Sequence, residues 1–357
     1  VSGIYMGNGT TSVSSSTGVI VTATSGINSN IILTGNTIQN VHNGILSIGS
    51  SATGFYDGDI IIGQSGAGNT IQNFGGGIAD TSYGVYFRYV NNPELTYNTI
   101  DNAAGGGIPQ TYNEYLIFFS IVSGDIVVNN NELSINNSST RASGFVYNNN
   151  NTVNSETYNN NIFSGTLNTG TQYLMYTFSN NTPNKTVSGN VITGISKAGG
   201  SFNGYYAAGS PSGGTETITN NNFSNLNVTS GSGSVNMIYC SSSITHNIVL
   251  SNNIFNNISY SGSATIYVIN ATGVSNNQIN NNTISNITTG GSLYGISFSG
   301  LDAFVYNNNI FGLTSTTTGS NVVIGINTAS ITNNTTNLNI YNNFISDIKA
   351  PGSTSFS

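Results

Sequence analysis

The chain is expected to be all-β and wound as a parallel β-solenoid, and three observations predict this. An asparagine-led hexapeptide recurs eleven times at intervals close to 31 residues. Short β-branched and aromatic runs, bounded by Gly, Asn and Ser, fill the intervals. No stretch keeps an apolar pattern of helical period, and Gly and Asn throughout disfavour helix.

The repeat reads Asn-x-apolar-x-x-(apolar or small). It starts as Asn36-Thr-Ile-Gln-Asn-Val, Asn69-Thr-Ile-Gln-Asn-Phe and Asn98-Thr-Ile-Asp-Asn-Ala, and continues from Asn131, Asn161, Asn190, Asn221, Asn253, Asn282, Asn309 and Asn343. Successive spacings of 33, 29, 33, 30, 29, 31, 32, 29, 27 and 34 residues leave no room for a separate domain. Residues 1–357 are therefore read as one continuous solenoid of about 11–12 coils.

Alignment on the anchor Asn defines two core columns. Two residues after it stand Ile38, Ile71, Ile100, Leu133, Phe163, Ile192, Phe223, Phe255, Ile284, Phe311 and Ile345. Three residues before it, from Leu33 and Leu95 through Tyr306 to Ile340, the position is apolar or aromatic in every copy but the second. A further run lies between anchors, as in Gly84–Val90, Tyr115–Val122, Tyr173–Phe178, Ala264–Ile269 and Tyr294–Phe298. Each coil thus offers three short strands.

A unit of this size buries its apolar face only by stacking on its neighbours. Stacking sets equivalent residues about 4.8 Å apart, so each column becomes a ladder along the rod. Asparagine suits the anchor because its amide both donates and accepts, and because it tolerates left-handed corners. An outer-membrane barrel repeats at a similar period, but its strands run about 9 to 11 residues, longer than the runs seen here.

Composition removes several function classes. Only 17 of 357 residues are charged, beside 61 Asn and 44 Gly, where an ordinary domain is about 25% charged. With 37% hydrophobic residues and a net charge of −7 the chain is not of the disordered type. Five scattered cations, Arg88, Arg141, Lys185, Lys197 and Lys349, provide no nucleic-acid footprint. The longest apolar run, Tyr115–Val122, is too short to span a bilayer as a helix. Cys240 is the single cysteine and lies in a strand-like stretch, where a small buried hydrophobe is expected. No cofactor and no metal is expected.

The acids do not gather in one column, as a glycosidase pair would require. Asp57, Asp59, Asp80 and Arg88 are the best candidates for a ligand or calcium site, against turn chemistry and surface solvation as the plainer reading. One charged column does align: Glu156, Lys185 and Glu216 each lie five residues before their anchors, and are read as an ion-pair ladder of the exposed kind. His42 and His246 fall in different columns and are expected at surfaces or turns. Outward aromatics such as Tyr86, Tyr176 and Tyr206 raise a sugar-binding strip as a further reading, against packing or scattered exposure. Asn-x-Ser/Thr sequons such as Asn184-Lys-Thr are expected by chance in this composition.

The repeated Gly-Asn-Thr-Ile-Gln-Asn and Asn-Asn-Thr-Ile-Ser-Asn-Ile strings resemble those of right-handed parallel β-helix proteins, the pectate-lyase-like superfamily, from about Ile4 to Ile348. The Asn/Ser/Thr/Gly-rich, Lys-poor composition is similar to repeat regions of secreted Bacteroidota-type surface proteins, often exported by the type IX pathway. The resemblance implies right-handed winding, and either polysaccharide-active enzymes or adhesins and tailspikes. The Asn-Thr-Asp, Asp-Asp, His-Gly and Arg-Ile-Lys strings of polygalacturonase-like enzymes do not occur.

The expected function is structural: an extracellular or cell-surface stalk, adhesin shaft or filament subunit without catalysis. The alternative is a carbohydrate-active β-helix, either lyase, hydrolase or polysaccharide-binding module. Expected partners are further copies or neighbouring domains end to end, with cell-surface or extracellular polysaccharide as a further partner, and neither nucleic acid nor a membrane span. The Val1-Ser2-Gly3 start and the Pro351–Ser357 end read as an excerpt of a longer rod.

Overall fold

A computed structural model of the chain describes residues 2–7, 19–22, 27–51, 54–75, 80–102, 112–137, 141–179, 184–209, 213–241, 246–329 and 337–351. Every strand pairing in it is parallel, and the chain winds through three sheets, one strand of each per coil. Sheet I contains Ser82–Arg88, Glu114–Ser120, Gln172–Ser179, Phe202–Ala208 and Val235–Ser241. Sheet II, which leads into each anchor, contains Asn184–Ser188, Thr215–Thr219 and Asn247–Ser251. Sheets I and II merge because Ser143–Asn159, Ile266–Asn280 and Leu293–Tyr306 turn their corner without a break. Sheet III follows the anchor and has eleven strands, from Thr37–Val41 to Phe344–Lys349.

Register follows the repeat. Ile100 pairs with Ile71 and Leu133, and Phe255 with Ile284, so the apolar column two residues after the anchor is one continuous inner ladder. Leu95, Val128, Val187, Ile218, Leu250 and Ile279 form the inner ladder of sheet II, all fully buried. One core runs the length of the rod.

The anchor asparagines form the polar ladder that the repeat implies. Each donates both its backbone N–H and its side-chain Nδ2 to Oδ1 of the next, at 2.9 to 3.1 Å, from Asn36–Asn69 through Asn190–Asn221 to Asn308–Asn343. In most levels Nδ2 also donates to the carbonyl three residues before the previous anchor, as in Asn69 to Leu33 and Asn221 to Val187, while Asn98 reaches Ile62 O instead. The residue before the anchor is left-handed in most copies, including Tyr97 (φ 59°), Asn130 (φ 58°), Gly189 (φ 67°) and Asn252 (φ 58°). That corner aims the amide inward.

One anchor is corrected. At the tenth level the ladder residue is Asn308, not Asn309: Asn282 donates to Asn308 Oδ1, and Asn308 donates to Asn343 Oδ1. Asn307 takes the left-handed corner at φ 56°, which places Val305 and Ile310 in the core columns. Tyr306 and Phe311 are displaced outward by one residue, and Tyr306 stacks on Tyr341.

Candidate functional site

The aligned charges Glu156, Lys185 and Glu216 do pair in register on consecutive strands of sheet II. Their expected exposure is corrected: they are 0%, 2% and 1% accessible and point into the rod. Tyr158 donates its hydroxyl to Glu156 Oε2 at 2.8 Å, and Lys185 Nζ donates to Thr177 Oγ1 at 2.9 Å. Tyr205 donates to Glu216 Oε1, while His246 Nε2 lies 3.3 Å from Glu216 Oε2. His246 Nδ1 meets Gly213 O at 2.7 Å, so both imidazole nitrogens face acceptors and the ring is buried rather than at the surface. Burial alone would push Glu216 up, but Lys185, His246 and Tyr205 outweigh it and hold the carboxyl below its usual range. Lys185 makes no ion pair with either carboxylate; it acts on Glu216 through space.

Sequence reasoning missed two buried ionisable groups. Glu114, the first residue of its sheet I strand, is fully buried with neither carboxylate oxygen hydrogen-bonded, and burial pushes its carboxyl well up. It stacks between Ser82 and Ser143, followed by Gln172. Lys197 ends its sheet III strand with its Nζ in a nest of carbonyls, donating to Asn168 O and Gly170 O at 2.6 Å and also to Gly199 O. Burial pulls this ammonium down to about 8. His42 is also buried rather than at the surface, with Nε2 at 3.2 Å from Thr81 O.

Asp57, Asp59, Asp80 and Arg88 each have a separate local partner. Asp57 is buried and accepts from Asn28 N at 3.0 Å and Asn28 Nδ2 at 3.2 Å. Asp59 is exposed in a left-handed corner and accepts from Asn92, while Asp80 caps the Thr81 N–H. Arg88 donates to the Tyr89 hydroxyl and lies 4.8 Å from that ring's centroid. Among the described residues no group of three or more His, Cys, Asp or Glu is placed to hold a metal ion.

The aromatics of sheet I form a stripe on its outer face. Tyr86, Phe118, Tyr147, Tyr176, Tyr206 and Tyr239 pair in register on six consecutive strands. Phe118 and Tyr147 stack at 5.3 Å and 8°, Tyr147 and Tyr176 at 4.2 Å and 10°, and Tyr206 and Tyr239 at 4.5 Å and 15°. Rings stacked along the rod spend their faces on each other and present edges and hydroxyls to solvent. Tyr173 packs edge-to-face against Tyr147, Tyr176 and Tyr206. Burial pushes Tyr115 and Tyr206 up to about 12, so these phenols stay neutral.

Cys240 is buried in the core, where desolvation raises its thiol well above the ordinary range. No helix is long and apolar enough to cross a membrane among the described residues. No family model, curated protein or solved structure matches the chain.

Proposed function

We propose that the chain is a structural segment of an extracellular or cell-surface β-solenoid, wound right-handed, serving as a stalk, adhesin shaft or filament subunit and not as an enzyme. The observation that carries this reading is the Asn ladder, unbroken over eleven levels from Asn36 to Asn343. It spends the most abundant functional side chain on holding coil to coil. The dispersal of Asp57, Asp59, Asp80 and Arg88 among separate partners supports the same reading.

Electron microscopy of the purified protein tests the proposal, with rods or end-to-end filaments as the expected result. Turnover of pectin, polygalacturonate or a neutral polysaccharide would replace it with the carbohydrate-active alternative.

A further inference from the structure

We propose that the outer face of sheet II carries a binding site for a neutral glycan, centred on Gln278 and Phe304. A half-open concavity of about 340 Å³ lies there, within the size range of small-molecule sites. Thr215, Asn247, Ile248, Val249 and Asn276 complete its lining. Two outward columns build it. Thr215, Asn247 and Asn276 stack in one, and Thr217, Val249, Gln278 and Phe304 in the other, over four coils. The small Val249 next to the long Gln278 and the Phe304 ring makes the hollow: a floor beside two walls.

The lining chemistry selects the ligand. Every lining group is a hydroxyl, a carboxamide or apolar, so the site offers hydrogen bonds without charge. The Thr215 hydroxyl and the Gln278 amide make no hydrogen bond to another described residue, while Asn276 Nδ2 is held by Asn247 Oδ1 at 2.9 Å. Phe304, unlike the sheet I tyrosines, has no ring neighbour among the described residues, so its faces are not spent on stacking. Amides beside an aromatic face fit the alternating C–H and hydroxyl surface of a sugar. Asp302 follows Asn276 in its column and accepts from Asn337 at 3.2 Å, placing a carboxylate at the rim. A uronate chain would meet repulsion there, and a neutral one would not. The coil pitch of about 4.8 Å is close to the length of one extended hexose, so an oligosaccharide lying along the rod meets a new rung with each residue.

The test is calorimetric titration with hexamers of β-1,4-glucan, β-1,4-xylan and β-1,4-mannan, and with hexagalacturonate. At least one neutral hexamer is expected to bind saturably, and the acidic one not to bind. Gln278→Ala and Phe304→Ala should each weaken binding about tenfold. Tyr176→Ala, on the other face, should bind as the parent does. Gln278 and Phe304 face outward without ring partners, so their variants should keep the parent's melting temperature, whereas Tyr176→Ala gives up stacking on Tyr147 and Tyr206 and should melt lower while still binding; Gln278→Glu and Phe304→Leu repeat the comparison if an alanine variant unfolds. Three results would overturn the proposal: no neutral hexamer binding, binding retained in the Gln278→Ala/Phe304→Ala double variant, or binding lost in Tyr176→Ala instead. Filaments without glycan binding would remove this site and leave the architectural proposal standing; binding without rods would do the reverse.

Discussion

Asn190 takes part in five hydrogen bonds: it donates three, to Asn221 Oδ1 twice and to Tyr158 O, and accepts two from Asn161. It is fully buried, so water cannot replace what a substitution removes. Asn190→Ala would strand the Asn161 backbone N–H and amide and take a donor from the Tyr158 carbonyl. At roughly 1–3 kcal/mol for each unsatisfied buried group, the expected loss is about 3 kcal/mol or more. Asn309→Ala is the control, because the Asn309 Oδ1 has no partner to lose. Urea unfolding measures both, and equal losses would mean that ladder membership contributes nothing particular. The same contrast explains the one misassigned anchor. Asn307-Asn308-Asn309 satisfies the string at more than one position. Only the left-handed corner before the anchor decides between them, and a corner is a backbone property that composition does not display.

At the scale of the strand, the sequence pattern carried more than was read from it. Side chains alternate across a strand, so positions three, five and seven before an anchor share one face. The position at minus three is core, as Val187 and Leu250 show. By parity, Lys185 at minus five before Asn190 and His246 at minus seven before Asn253 must also point inward. The register of Glu156, Lys185 and Glu216 was legible, and their burial follows from it, but the scarcity of charge favours an exposed reading. Glu114 and Lys197 were not legible, because each stands at a strand end where the alternating pattern stops. The two buried glutamates should oppose each other as pH changes. Glu216, held low, contributes stability that is present above the unfolded carboxylate value and lost as pH falls through the folded one. Glu114, held high, binds its proton more tightly when folded, so its contribution falls as pH rises from the unfolded value towards the folded one. Glu114→Gln should therefore raise the melting temperature at pH 7 relative to pH 4, and Lys185→Met, which removes the nearby cation but leaves Glu216 its His246 and Tyr205 contacts, should lower stability near neutrality by less than the roughly 3–5 kcal/mol of a broken direct pair. A flat difference between Glu114→Gln and parent across that range would show that the carboxyl is not buried without a partner.

For the whole molecule, the ladder gives the rod a polarity. Each level donates N–H and Nδ2 towards the C-terminal side and offers Oδ1 towards the N-terminal side, from Asn36 onward. The upper face of the Asn343 level therefore presents donors; at the other end the chain continues below the first sheet I strand into Ser2–Gly7 and Val19–Thr22, so that end is a different surface. Around Asn343 the inner columns also surface, with Ile340 and Ile345 each 44% exposed, and Phe344 beside them on the outer face is 61% exposed. Apolar columns ending beside unpaired strand edges form a surface that associates in water. The two faces differ, so contact between copies through them is heterologous and does not close, which yields lengthening assemblies rather than dimers. Sedimentation should accordingly show a mass that grows with concentration. Phe344→Lys combined with Ile345→Lys should hold the protein monomeric, because both side chains are exposed and two cations on one copy's end would face the apolar columns of the next. The double variant should melt somewhat below the parent even at low concentration, because Ile345 continues the inner column above the buried Ile310, whereas Phe344→Lys alone, at an outward position, should melt as the parent does. A parent that remains monomeric across the range, with the variants indistinguishable from it, would show that this face is not used between copies.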